Sequence, residues 1–348
     1  MSETSTNKDL IIRSTIPIEA EKYRNLYGLD FVEADLPRIN ILSDSISKMI
    51  ASVEECKRTV ELFSLIDTSG RVIFEVPDFF LEKPLEPDQK IVIDTSESEK
   101  VASLSVDMQD RLLGVPIDEC YQPLVDLRRI LSDRASFSAV PFHEACGEWA
   151  GLERQFWVRQ DFASRLVLMA EVLGDQDIAI HFEDGFRPLG VQEGLFKRRI
   201  EAVKANFPNY TEEQILREAR SKTAITPRLA SHKAGAAVDV RLLRNGKLDD
   251  IGHEYAEGGA LVYLKSPFVT QEQWQNRQTL VIAASLCGLT MYIGEDWHLS
   301  YGDNLASLND DLTPEPGYVA QYGPIKRIDH RSGQIMEVYS EGDIDNIF

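Results

Sequence analysis

The alternation of apolar and polar positions divides the chain into recognisable elements. Ile39, Ile41, Leu42, Ile46, Met49, Ile50 and Val53 recur at helical spacing and predict a helix over 38–58, behind a polar tail at 1–10. Two short apolar runs flank Thr68-Ser69-Gly70 and predict a hairpin over 63–76. From Pro77 to Lys100 the chain is rich in Pro, Asp, Glu and Ser, which predicts loop or linker and a boundary near 100–115. Beyond it, Phe156, Ala163, Leu166, Val167, Ala170 and Leu173 form the stripe of a long helix over 152–173, with Gly174 as its C-cap. Residues 177–182 alternate like a strand. Thr211 and Gln214 form a capping box that opens a helix through about Arg220. Residues 236–243 predict a strand running into an Asn245-Gly246 turn. Thr270 and Gln273 open a second capped helix that ends near Cys287-Gly288, and a strand is expected at 289–293. A closing hairpin is expected around Ser332-Gly333. Helices and strands mix without a βαβ rhythm, which predicts an α+β fold.

The length of 348 residues suits about two domains. The division expected is an N-terminal α/β extension over 1–115 and a catalytic domain over 116–348. Lys and Arg number 37 against 57 Asp and Glu, a formal charge of −20, which argues against nucleic acid or an anionic membrane as partner. Cys56, Cys120, Cys146 and Cys287 are scattered without a CxxC pair, as expected of reduced thiols. The polar N-terminus and the lack of a long apolar run predict a cytoplasmic protein.

The chain contains no GxxxxGK[ST], GxGxxG or GxSxG string, so nucleotide chemistry and a serine elbow have no support. Of six histidines, His143, His181, His253 and His330 have bland surroundings. His232 opens a string that runs through Gly235 and Ala237 to Asp239, while His298 closes Glu295-Asp296-Trp297-His298. A carboxylate in mid-strand needs a partner, and a metal is one. Two histidines and one carboxylate make a three-ligand site with an open position, the layout of a catalytic zinc; Glu295 is then a spare carboxylate able to take a proton from water. The alternatives from the residues alone are an Asp239–Arg241 ion pair with His232 exposed, and an acid-rich loop with a surface histidine. Asp184-Gly185-Phe186-Arg187-Pro188 sets Arg187 in a tight turn at a strand end, placed to bind a carboxylate or an oxyanion.

Taken in order, these three strings resemble the vancomycin-resistance D-alanyl-D-alanine dipeptidases and the related D,D-carboxypeptidases, which carry a DG[YF]RP turn, SxHxxGxAxD and ExWH. The resemblance spans roughly 120–310 and implies a small antiparallel sheet with flanking helices. It implies one zinc on His232, Asp239 and His298, Glu295 as catalytic base, Arg187 as transition-state arginine, and a short peptide or amide such as D-Ala-D-Ala as substrate. Two departures flank the metal: Ala230 stands where the family usually has Ser, and Asp296 follows the base where an aromatic is common. Two other classes remain open: non-haem iron or other metal-dependent chemistry on the same scaffold, and a metal-binding protein without turnover. The extension is expected to roof the cleft, restricting it to small substrates rather than cell-wall polymer, or to form a homodimer contact.

Overall fold

The computed structural model describes a strand pair, β1 (Leu65–Ile66) and β2 (Val72–Phe74), and residues 95–340 apart from 133, 175, 225, 258, 265, 267, 309–311, 330 and 331. The tail at 1–10, the helix expected over 38–58, Cys56 and His330 lie outside the described residues. β1 and β2 pair antiparallel, as the hairpin pattern predicts.

Helix α1 (Thr95–Leu112) begins inside the stretch expected to be linker. Residues 95–100 contain no Gly or Pro to break a helix. Tertiary packing completes the argument: Met108, Leu112 and Val115 bury against Leu229, Tyr292, Ile293 and Leu305. After it come β3 (Leu124–Asp126), β4 (Ala135–Phe137), β5 (Trp157–Arg159) and α2 (Gln160–Gly174). The long helix expected from 152 therefore starts at Gln160, because 157–159 pair with β3 as a strand. Arg159 is fully buried there, donating to the Glu119 carboxylate at 2.7 and 3.0 Å and to the Ala234 carbonyl at 2.8 Å. No helical periodicity in the local sequence reports that requirement.

β6 (Ile178–Asp184), α3 (Leu189–Asn206), α4 (Glu212–Arg220), β7 (Ala237–Arg244), β8 (Lys247–Leu248) and α5 (Gln271–Leu286) follow, then β9 (Thr290–Met291) and β10 (His298–Ser300). Both capping boxes form, and Asn245 and Gly246 turn with positive φ as a tight hairpin needs. β9 covers only part of the strand expected at 289–293, since Tyr292 and Ile293 bury against α1. β11 (Ile325–Ile328) and β12 (Ile335–Val338) form the closing hairpin.

The main sheet has the order β4-β6-β7-β10-β9, with β8 on β7. β4 runs parallel to β6 and the other pairs are antiparallel, so this α+β fold carries a mixed sheet where a purely antiparallel one was expected. Ile178, Ile180 and Phe182 of β6, Val238, Val240 and Leu242 of β7, and Leu299 of β10 point to one face, where they pack with Leu166, Met169 and Leu173 of α2 and Leu280, Ala283 and Ala284 of α5. Alternation then sends Asp239, Arg241 and His298 to the opposite face. Among the described residues no helix is long and apolar enough to cross a membrane.

Candidate metal centre and its cavity

Asp239 sits at the middle of the sheet with neighbours on both sides. Across β10 its register partner is His298, and across β6 it is Asp184. A register shift between Phe182 and Asp184 inserts one extra residue in β6. The bulge turns Asp184 from the apolar set onto the face that carries Asp239. Two carboxylates opposite each other repel, and Arg187 lies between them: its Nε donates to Asp184 Oδ2 at 3.0 Å and its Nη2 to Asp239 Oδ2 at 2.6 Å. Burial opposes the Arg187 charge, but the two carboxylates more than offset it and hold its pKa above the ordinary value.

His232 comes from a short helical turn, Ser231–Ala234, that ends on Gly235 in the left-handed region at φ 66°. That turn leads directly into β7. His232 Nδ1 donates to the Gly185 carbonyl at 2.7 Å, and Arg187 N–H donates to the His232 carbonyl at 3.3 Å, so the DGFRP turn clasps this histidine twice. With Nδ1 carrying the proton, Nε2 is left as the basic nitrogen, and it lies 3.1 Å from Asp239 Oδ1. His298 Nδ1 lies at 3.1 Å from the same oxygen. These three donor atoms all fall within 4.8 Å of one another, and all three residues are buried, so the group could hold a metal ion. Burial and the Arg187 charge lower the His232 pKa, which favours the neutral, ligating imidazole. Burial alone would raise the Asp239 pKa, but its contact with His232 and the Arg187 charge bring it well below the ordinary carboxylate value. Arg241 bonds instead to Glu254 and to the Asp249 carbonyl, so the Asp239–Arg241 ion pair does not form.

Glu295 reaches the same place from the turn between β9 and β10, with its carboxylate 4.0 Å from His298 Nδ1. Burial first, then the Asp239 charge, push its pKa up to about 7, against the lowering effect of His298, Arg187 and Arg199. A carboxyl group poised near neutrality can both accept and return a proton. The next residue points elsewhere. Asp296 is buried, with both carboxylate oxygens 3.0 Å from His253 Nε2 and Oδ2 3.0 Å from Arg277 Nε. It pins the 295–298 turn from behind, so its departure from the family pattern changes the scaffold rather than the cavity lining.

All five expected site residues line one cavity of about 220 Å³. Several groups passed over in the sequence line it too. Tyr255 donates to Asp239 Oδ2 at 2.8 Å and packs edge-on against Trp297. Tyr292 presents its ring to His298 with centroids 5.9 Å apart, and its hydroxyl is held by Ser105 at 2.6 Å and Gln109 at 3.1 Å, both on α1. Met108, Gln109 and Leu112 of α1 wall the cavity. His143 lines it as well, its Nδ1 accepting the Ala145 N–H at 3.0 Å. Neither Tyr255 nor His143 has a spacing signal in the sequence. The Tyr292 link could be read only once α1 was known to lie beside β9. His181 is structural, held to Ser136 at 2.7 Å. Cys120, Cys146 and Cys287 are free thiols, as their spacing predicts.

Residues 153–317 match the family model described as D-ala-D-ala dipeptidase, a stretch that contains Arg187, His232, Asp239, Glu295 and His298. A search among curated proteins found no match.

Proposed function

We propose, from the match of residues 153–317 to the D-ala-D-ala dipeptidase family model, that this protein hydrolyses a short peptide or amide ending in a D-amino acid, with D-Ala-D-Ala as the first candidate. The observation that carries this reading is the convergence of three ligand-type atoms, a near-neutral carboxyl and an arginine on one small cavity. The donor set of two imidazoles and a carboxylate, with His232 Nδ1 capped by a carbonyl, suits zinc first and iron(II) second. An ion held by His232, Asp239 and His298 supplies Lewis acidity toward a water and toward the scissile carbonyl.

The chain's own groups do the rest. Glu295 takes a proton from the attacking water and returns it to the leaving amine, a role that its pKa of about 7 supports. Arg187 has N–H groups left beyond its bonds to Asp184 and Asp239, and these offset negative charge developing on the carbonyl oxygen. Tyr255 and Arg187 both bond Asp239 Oδ2, which leaves Oδ1 to face the two histidines. The small, walled cavity supports a free short substrate over a polymer, and a cytoplasmic location agrees with such a substrate.

The test is metal analysis followed by a dipeptide panel. The protein is expected to hold one divalent ion per chain and to cleave D,D-dipeptides ahead of L,L-dipeptides. His232→Ala, Asp239→Ala and His298→Ala should each lose the ion. Retention in all three variants would overturn the ligand set. Oxygen consumption with iron(II) and no hydrolysis would favour the iron reading.

A further inference from the structure

The cavity has a second chemical character, away from the ligand atoms. The face of α3 that lines it carries Leu195, Arg198, Arg199 and Ala202, spaced as neighbours on one side of a helix. Among the described residues neither Arg198 nor Arg199 has a hydrogen-bond or salt-bridge partner. Lys222, just past α4, lines the same space and is 6% exposed. Its ammonium donates to the Gly259 carbonyl at 3.1 Å, lies over the Tyr263 ring at 4.8 Å, and has its nearest carboxylate, Glu218, 4.0 Å away. Arg199 is near enough for its charge to act on both Lys222 and Glu295.

The charge balance of the cavity is therefore the reverse of the chain's, whose formal charge is −20. Asp184 and Asp239 are already matched by Arg187. Lys222 has Glu218 4.0 Å away, which leaves Glu295 as the one lining carboxylate to face Arg198 and Arg199, and a divalent ion on the ligand set would add further positive charge. Gathering like charges in a poorly solvated pocket is unfavourable unless an anion is drawn in. A zwitterionic dipeptide with neutral side chains brings one carboxylate together with one ammonium, which leaves most of this excess unanswered.

We propose that Arg199 and Lys222, with Arg198 at the mouth, form an anion subsite that selects short peptides carrying an acidic side chain. The proposal rests on the peptidase reading and deepens it: the preferred substrate has a second carboxylate besides its C-terminal one.

The experiment uses the metal-loaded, full-length protein and matched pairs: D-Ala-D-Glu against D-Ala-D-Gln, D-Glu-D-Ala against D-Gln-D-Ala, and the C-terminal amide of each. At one of the two positions the acidic peptide should lead its amide isostere in kcat/KM by about 10- to 100-fold, the worth of a hydrogen bond to a charged group. Arg199→Gln and Lys222→Met should each cut that ratio severalfold. Arg199 is partly exposed, so its variant keeps the test alive should Lys222→Met fail to fold. A ratio below about twofold at both positions would overturn the proposal. So would a kcat/KM that falls on amidating the C-terminus but is indifferent to the side-chain charge, because the subsite would then hold the terminal carboxylate. If no peptide turns over, the hydrolytic reading fails, and calorimetric binding of D-Ala-D-Glu and D-Ala-D-Gln decides the subsite: tighter binding of the acidic peptide upholds it, equal binding overturns it.

Discussion

Gly185→Ala is the most discriminating single change in the site, because it replaces no ligand and no proposed catalytic group. A Cβ built there would lie 2.6 Å from the Gln155 carbonyl oxygen and 2.8 Å from Phe156 Cα. Both are backbone atoms, and Phe156 is fully buried beside β5, so neither can swing aside. Relief to ordinary contact requires a displacement of about 0.8 Å, which falls on the 184–187 turn. That turn supplies the carbonyl that orients His232 and the arginine that bonds Asp239. Overpacking of this kind costs about 1–3 kcal/mol, which lowers Tm by several degrees in a unit of this size, at about 2–4 °C per kcal/mol. Loss of the carbonyl behind a ligating histidine costs about 10- to 100-fold in metal affinity. At saturating metal, misplacement of Arg187 by most of an ångström should still reduce kcat/KM by about 100-fold. The assay compares metal dissociation constants, melting of the metal-free protein and saturated kinetics, with Gly174→Ala as control, since nothing lies within 4 Å of a Cβ there. Metal affinity and kcat/KM within about threefold of the parent, with an unchanged Tm, would refute the claim that this turn positions the site.

Other expectations concern roles, boundaries and pH. Glu295→Gln should keep the metal and lose about 100- to 10,000-fold in turnover; release of the metal would make Glu295 a ligand instead. Removal of residues 1–94 should leave the metal site intact, whereas removal of 1–115 strips α1 from Tyr292 and from the cavity wall and should lower both Tm and activity. Equal behaviour of the two truncations would show that α1 contributes nothing to the site. Burial brings Lys222 down to about 8. Its charged form is the one that attracts an anion, so the acidic-over-amide preference should be full below that pH and fall as pH rises through it. A preference unchanged between pH 7 and 10, read from paired kcat/KM values, would remove Lys222 from the subsite.

Much of the site was legible in order along the chain, because its parts are local. The DGFRP turn, the His232 to Asp239 string and the Glu295 to His298 string each sit at a strand end or turn where residue type and spacing report the backbone. Asp239 in mid-strand among valines marked itself as a buried charge in need of partners, and the capping boxes of α4 and α5 depend only on residues three apart. The turn chemistry of Asn245-Gly246 is equally local.

What the tertiary structure decided was everything set by pairing across the chain. Whether 157–159 became strand or helix depended on β3 and on a buried carboxylate at Glu119, some forty residues away. The bulge that brings Asp184 opposite Asp239 arises from the register of β6 on β7, which alternation cannot count. Tyr255, Arg199 and Lys222 join the cavity from three separate segments, and their sequence neighbours say nothing of one another. Helix α1 has a pattern too charged to be read as core until its partners are seen. It became part of the site because Tyr292, Leu229 and Leu305 offered an apolar surface and hydrogen-bonding groups that only the folded chain assembles. Local sequence carries backbone chemistry and ligand type, whereas cavity shape, charge balance and strand register come from long-range contacts whose cost and gain appear only when the whole unit closes.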